Sequence, residues 1–366
     1  MDRCAIERAT VSPTDAMPTE VLWVILRDRV TNEDRVACAR VSARWRAIMR
    51  ATIGACPREF ADGCEYAAAL ARCGWTTVLQ WALGEGCGRD PSVCAEAAYF
   101  GHLDTLECAR ANGCPWDEDT CLNAALGGHL GVLQWVRGNG CPWNEWTCAM
   151  AAEEGHLGIL QWARENGCPW DKGTCSCAAR SGHLDVLVWA RQNGCPWDGQ
   201  TCVGAAEGGH LGVLRWAREN GCPWSEAVCT YAAKGGHLDV LKWVRENGCP
   251  WSEATCTFAA HYGHLEVLQW ARANGCPWDK ATCAEAAVGG HLEVLQWARA
   301  NGCPWGKMTC GNAAERGHLE VLKWAVANGC PRDPYVYGLA IDRRHMDIAE
   351  WALANGFPKF CLPFSA

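Results

Sequence analysis

Gly263–Cys283 reads GHLEVLQWARANGCPWDKATC, and Gly290–Cys310 reads GHLEVLQWARANGCPWGKMTC. The two stretches differ only at Asp279/Gly306 and Ala281/Met308, and they start 27 residues apart (290 − 263). The same Gly-His pair recurs at that spacing from Gly101 through Gly317, and the lattice runs on to two degenerate copies, Gly74-Trp75 and Arg344-His345. Eleven units of 27 residues therefore tile residues 60–356. A period of this length is the signature of stacked repeats, each too small to bury its own apolar face and each dependent on its neighbours.

Each unit reads as two short helices. In the unit that begins at Cys249, Ser252 suits an N-cap and Glu253 suits the positive helix end. Asp117, Asn144, Asp171, Asp198, Ser225 and Asp279 occupy the same slot, and Gly306 is its weakest occupant. Cys256, Ala259 and Ala260 follow at i, i+3, i+4 as a narrow stripe of small apolar residues, and Gly263 stands where a left-handed glycine closes a helix. The second helix is expected from about His264 to Ala273. Leu265, Val267, Leu268, Trp270 and Ala271 form its apolar face. Asn274-Gly275 stops it and Pro277 prevents its continuation.

Composition narrows the function classes. Half the chain is apolar, enough for a core. No apolar run approaches the roughly 20 residues of a membrane helix, and MDRCAIERATVSPTD at the start holds no signal-peptide core. The net charge of −8 opposes a nucleic-acid partner, which wants a basic stripe. Cysteine and tryptophan are over-used, at 27 and 22. With no export signal and an odd cysteine count, the thiols are expected reduced, in the cytoplasm or nucleus.

The segment GHLEVLQWARANG, with Ala-Ala before it, resembles the second-helix region of ankyrin repeats. The period is six residues short of the usual 33, and TC stands near the place of the Thr-Pro-Leu-His signature. The resemblance implies ankyrin-like units with shortened or absent β-hairpin fingers. The tryptophans are expected to compensate from within the core. A buried ring removes about 150–250 Å² from water, roughly 4–6 kcal/mol gross at 25 cal/mol per Å².

MPTEVLWVILRDRVTNEDRVACARVSARWRAIM, from Met17, does not repeat and resembles an F-box. Pro18, Glu20, Val21, Leu22, Ile25 and Leu26 match the opening helix. Asp34, Val36, Val41, Ser42, Arg44, Trp45 and Arg46 match the closing segment. The resemblance implies binding of a Skp1-type adaptor of a cullin-RING ubiquitin ligase. Met17, Pro18, Val21, Leu22 and Ile25 would be among the adaptor contacts, and Trp45 partly core and partly interface. A plain helical cap on the array is the alternative. Pairings of F-box and ankyrin-type repeats are similar to proteins abundant in large DNA viruses, which redirect host ubiquitination. That resemblance would place the chain in host cytoplasm.

The expected fold class is therefore all-α. Residues 1–12 would be a disordered N-terminus and 13–55 an F-box-like module. An ankyrin-like α-solenoid of about eleven helix pairs would span 60–356, and 357–366 would be a C-terminal tail.

Chemistry finds little support. Ten of the eleven histidines fall on the repeat lattice, as structural residues would and a catalytic one would not; each is expected to hydrogen-bond across the turn between helices. Cys121 and His129 lie about 12 Å apart along a helix at 1.5 Å rise per residue, too far for one zinc ion. A Cys114–Cys121 disulfide would need oxidising conditions. No catalytic residue, cofactor or metal site is expected.

Repeated positions build the core, and varying positions meet partners. The two residues after the second cysteine and the pair before Gly-His vary most. They supply the expected target contacts: Tyr99, Phe100, Leu122, Asn123, Met150, Glu153, Arg180, Tyr231, Lys234, Phe258, His261, Tyr262, Glu285 and Arg316. The expected function is a non-enzymatic substrate-recognition adaptor that joins a Skp1-type protein to an unknown target protein, with no nucleic acid and no membrane. A scaffold that binds its partner without a ligase is the alternative.

Overall fold

The structure is a computed structural model that describes residues 63–84 and 88–360. The F-box-like segment, with Met17, Pro18, Val21, Leu22, Ile25 and Trp45, lies outside the described residues. Among the described residues every regular element is an α-helix, and 22 helices alternate as first and second members of a hairpin. None is long and apolar enough to cross a membrane. The chain divides into two compact units, Met1–Trp143 and Asn144–Ala366.

In both units the hairpin follows the sequence pattern. Lys280–Val288 is a typical first helix, and the Asp279 side chain accepts from the Ala281 amide at its start. Asp117, Asn144, Asp171 and Asp198 cap their helices in the same way. Ser252 and Gly306 make no side-chain cap. At the end of Glu253–His261, Gly263 turns left-handed at φ +79°. The Gly263 amide bonds the Ala260 carbonyl and the His264 amide reaches back to Ala259, so two orphan carbonyls are satisfied. The second helix, Leu265–Ala273, closes through the same motif: Gly275 is left-handed at φ +84°, and the Cys276 amide bonds Ala271.

The degenerate last unit keeps this geometry. Arg344 takes the left-handed conformation at φ +62°, where other units place glycine, and the His345 amide still bonds Ala340. Phe357 fills the slot of the loop cysteine, is buried, and packs against Trp351 with the Arg332 guanidinium over it. This part of the expected tail covers the final hairpin, whereas Phe360 is exposed.

Within each unit, neighbouring first helices lie side by side along their length, and second helices meet their counterparts less. The reason is residue size. Cys256, Ala259 and Ala260 are fully buried between first helices, where only small side chains allow that approach. Val267, Leu268 and Ala271 bury the inner face of the second helix, and leucines such as Leu214, Leu241 and Leu268 are the largest fully buried side chains. The expectation of tryptophans in the core is corrected: in the repeats the rings are half-buried at the rim of the hairpin, because leucine and alanine already fill the interior.

Two substitutions test this packing. Leu214→Ala removes a fully buried side chain and should cost about 2–5 kcal/mol. Gly209→Ala should cost at least the roughly 1–2 kcal/mol of a left-handed alanine. Its Cβ would also stand 2.5 Å from the His237 ring. Urea unfolding followed by circular dichroism measures both.

Candidate functional site on the first-helix face

The lattice histidines join repeats rather than bridging their own turn. His237 Nε2 lies 2.9 Å from the Glu207 carbonyl, His264 Nε2 lies 2.9 Å from Lys234, and His318 Nε2 lies 3.0 Å from Val288. In the first unit His102 meets Arg72 in the same way at 3.2 Å. Each acceptor is a carbonyl at the C-terminus of the preceding first helix, thirty residues back. A carbonyl only accepts, so Nε2 is the donor in each bond. The expected bond across the turn is thus corrected to a cap supplied by the next repeat.

Because these bonds fix the ends of successive first helices, the residues there form a register of side chains on one face. In the Asn144–Ala366 unit this register brings together most of the expected target residues. Tyr231 and Phe258 have ring centroids 6.3 Å apart, and Phe258 and Tyr262 are 6.4 Å apart. Lys234 Nζ sits 5.3 Å from the Tyr231 ring and 5.7 Å from that of Tyr262, and it donates to Glu207 at 2.6 Å. The Glu207 contact raises the Lys234 pKa, so the ammonium stays charged between the rings. Arg180 approaches the other Glu207 oxygen at 3.7 Å. His261 meets Glu285 at 2.7 Å and packs edge-on against Tyr262. Tyr262 is 42% exposed. Met150 and Glu153 lie earlier on the same series of helices, half-buried, and Arg316 caps a later one, exposed.

The Met1–Trp143 unit places Tyr99 and Phe100 edge-to-face at 4.8 Å, both exposed, with Phe100 stacked on His102. Asn123 spends one amide hydrogen on the Asp119 carbonyl, and Leu122 is half-buried. The position directly after the helix cysteine mostly turns inward. Ala149, Val203, Thr230 and Ala284 are buried, so only one of the two variable columns after that cysteine faces out.

Two features escaped the sequence reading. On the loop side, the arginine that eight second helices carry stacks on the tryptophan six residues later: Arg218 lies 4.1 Å from the Trp224 ring and Arg245 lies 4.1 Å from Trp251. The same guanidinium donates to the following loop-cysteine carbonyl, as Arg110 does to Cys114 at 2.6 Å. Trp224 then meets Trp243 edge-on at 5.9 Å. The constant Arg-x₅-Trp spacing was the available signal. Second, the cysteines pair between repeats. Cys141 donates to the Asp117 carbonyl at 3.2 Å and is hydrogen-bonded by the Cys121 thiol, not by a partner within its own unit. Burial pushes Cys94 up to about 12 and Cys177 up to about 11. No cluster of three or more metal-ligating side chains exists among the described residues.

No protein-family model matches the chain, and no curated protein matches it.

The His291 cap carries a pH dependence. Burial, above all, holds His291 below the usual imidazole value, and the nearby His261, His264 and His318 act in the same direction; its hydrogen bond to His261 opposes them. The unfolded chain therefore binds the proton more readily than the folded one. Stability contributed here is complete above the unfolded value of about 6.5 and is lost as pH falls through that value toward the folded one. Urea midpoints at pH 7.5 and 5.5 should differ more for the wild type than for His291→Gln.

Proposed function

We propose that the chain is a substrate-recognition adaptor. Its ankyrin-like repeats hold a target protein on the first-helix face, and its F-box-like segment docks a Skp1-type adaptor of a cullin-RING ubiquitin ligase. The observation that carries the binding half is the cluster of Tyr231, Phe258 and Tyr262 around Lys234. These residues vary from unit to unit while the core beneath them repeats. Aromatic side chains flanked by a paired cation suit a protein hot spot, where large rings desolvate at the centre and charges set the rim. The ligase half rests on the F-box resemblance of residues 17–49.

Two experiments test the halves separately. Proximity labelling with the whole chain and with Tyr231→Ala/Phe258→Ala/Tyr262→Ala should show at least a tenfold loss of the target in the variant, with helical circular dichroism unchanged. Equal labelling would refute the face. Co-purification should retain a Skp1-type protein on the wild type and lose it in Pro18→Ala/Leu22→Ala. If both retain it, or neither does, the ligase assignment fails and the scaffold reading takes its place.

A further inference from the structure

The loop rim of the Asn144–Ala366 unit holds cavities that the first-helix face does not use. One, of about 490 Å³, is lined by Arg215, Arg218, Glu219, Trp224, Trp243 and Asn247. A second, of about 450 Å³, lies two repeats earlier and is built from the same slots. Its lining residues match the first cavity's one for one, except that Gln161 stands in the place of Arg215. Val188, Lys242 and Gln269 fill that slot in other repeats. One side chain thus varies on a constant framework, which in a repeat protein marks a position that faces a partner.

We propose that the Arg215 cavity binds an acidic side chain of a protein segment that crosses the loop rim. Its donors are free. Arg215 is exposed and forms no hydrogen bond or ion pair among the described residues; its guanidinium stands 5.7 Å from the centre of the Trp243 ring. Arg218 stacks on Trp224 at 4.1 Å and donates to the Cys222 carbonyl. The indole N–H groups of Trp224 and Trp243 have no acceptor among the described residues. The carbonyls of the adjoining helix end are already taken: the Asn220 amide and side chain both bond Trp216, and the Gly221 and Cys222 amides bond Arg218 and Ala217. Glu219 is the one carboxylate in the lining, exposed and in no ion pair, so the two guanidiniums leave a positive charge in surplus. Among the described second helices of this unit, Leu211–Glu219 alone has more basic than acidic residues. A carboxylate accepts without donating and brings the missing negative charge. Gln161 both donates and accepts, so the earlier cavity suits a neutral group instead. A nucleic-acid base would find the Trp224 face covered by Arg218, and a strand of phosphates would run onto a chain of net charge −8.

This site is distinct from the Tyr231, Phe258 and Tyr262 cluster, so its test does not depend on that face. A phage-displayed library of random dodecapeptides is selected on the full chain, and the recovered sequences are synthesised and measured by fluorescence polarisation. They should be rich in Asp and Glu. Arg215→Gln should bind them about tenfold more weakly than the wild type, the loss expected for one hydrogen bond between charged groups. Replacing their acids by Asn and Gln should weaken binding to the wild type to the same degree. Gln161→Arg should raise the stoichiometry by one peptide, read by calorimetry. Neither Arg215 nor Gln161 is buried, so both variants should keep the wild-type circular dichroism. Tyr231→Ala/Phe258→Ala/Tyr262→Ala should bind the peptides as the wild type does. A selection without binders, binders without acidic residues, or equal affinity for Arg215→Gln would each overturn the proposal. So would loss of the peptides in the triple variant, or their displacement by oligouridylate at equal concentration.

Discussion

The hydrogen bond from a lattice histidine to the last carbonyls of the preceding first helix is the constraint on which the array depends. A nine-residue helix is too short to hold in water alone, and its C-terminal carbonyls have no partner within it. Glycine closes the helix with a left-handed turn and leaves room for the imidazole of the next repeat, whose ring atoms would stand within 3 Å of any added Cβ at Gly182 or Gly236. Glycine and histidine thus act across the interface as much as within their own unit. A repeat without a neighbour would lose both the cap and the burial of its small-residue stripe.

The two sides of the hairpin divide the remaining work. Between first helices, alanine and cysteine permit close approach, and each buried threonine at that level, such as Thr201 or Thr282, has no hydrogen-bond partner for its hydroxyl. The thiol of the next loop is the polar group that faces Thr174, through Cys195. On the loop side, arginine and two tryptophans form a repeating sandwich that shields the hairpin mouth. The aromatic surplus therefore rigidifies the rim rather than enlarging the core.

The fold was legible because its signals are local. The cap residue, the glycine phase and the 27-residue period place both helices to within a residue or two, as Ser252, Gly263 and Asn274 show. The outward column through Tyr231, Phe258 and Tyr262 was legible for the opposite reason, since variation against a constant background marks exposure. What was not legible concerns relations between units. Periodicity gives every repeat a helix cysteine such as Cys121 and a loop cysteine such as Cys141 but says nothing of which copy touches which. Trp116 looked like core because it repeats and is large. Its place at the rim follows from Arg110 stacking 3.9 Å from its ring, a partner that lies in the preceding unit. The inward turn of Ala149 and Val203 was hidden because variation among small residues resembles variation on a surface.

The acceptor for each histidine is a main-chain oxygen, and every residue type carries one. Glu207, Lys234, Val288 and Glu315 fill that role equally well. The joint between units is therefore indifferent to the side chain that rises above it. A gene that gains or loses one 27-codon segment by unequal recombination re-forms the same joint at the new boundary, and the surface can be rewritten by shuffling whole segments while the framework stays intact.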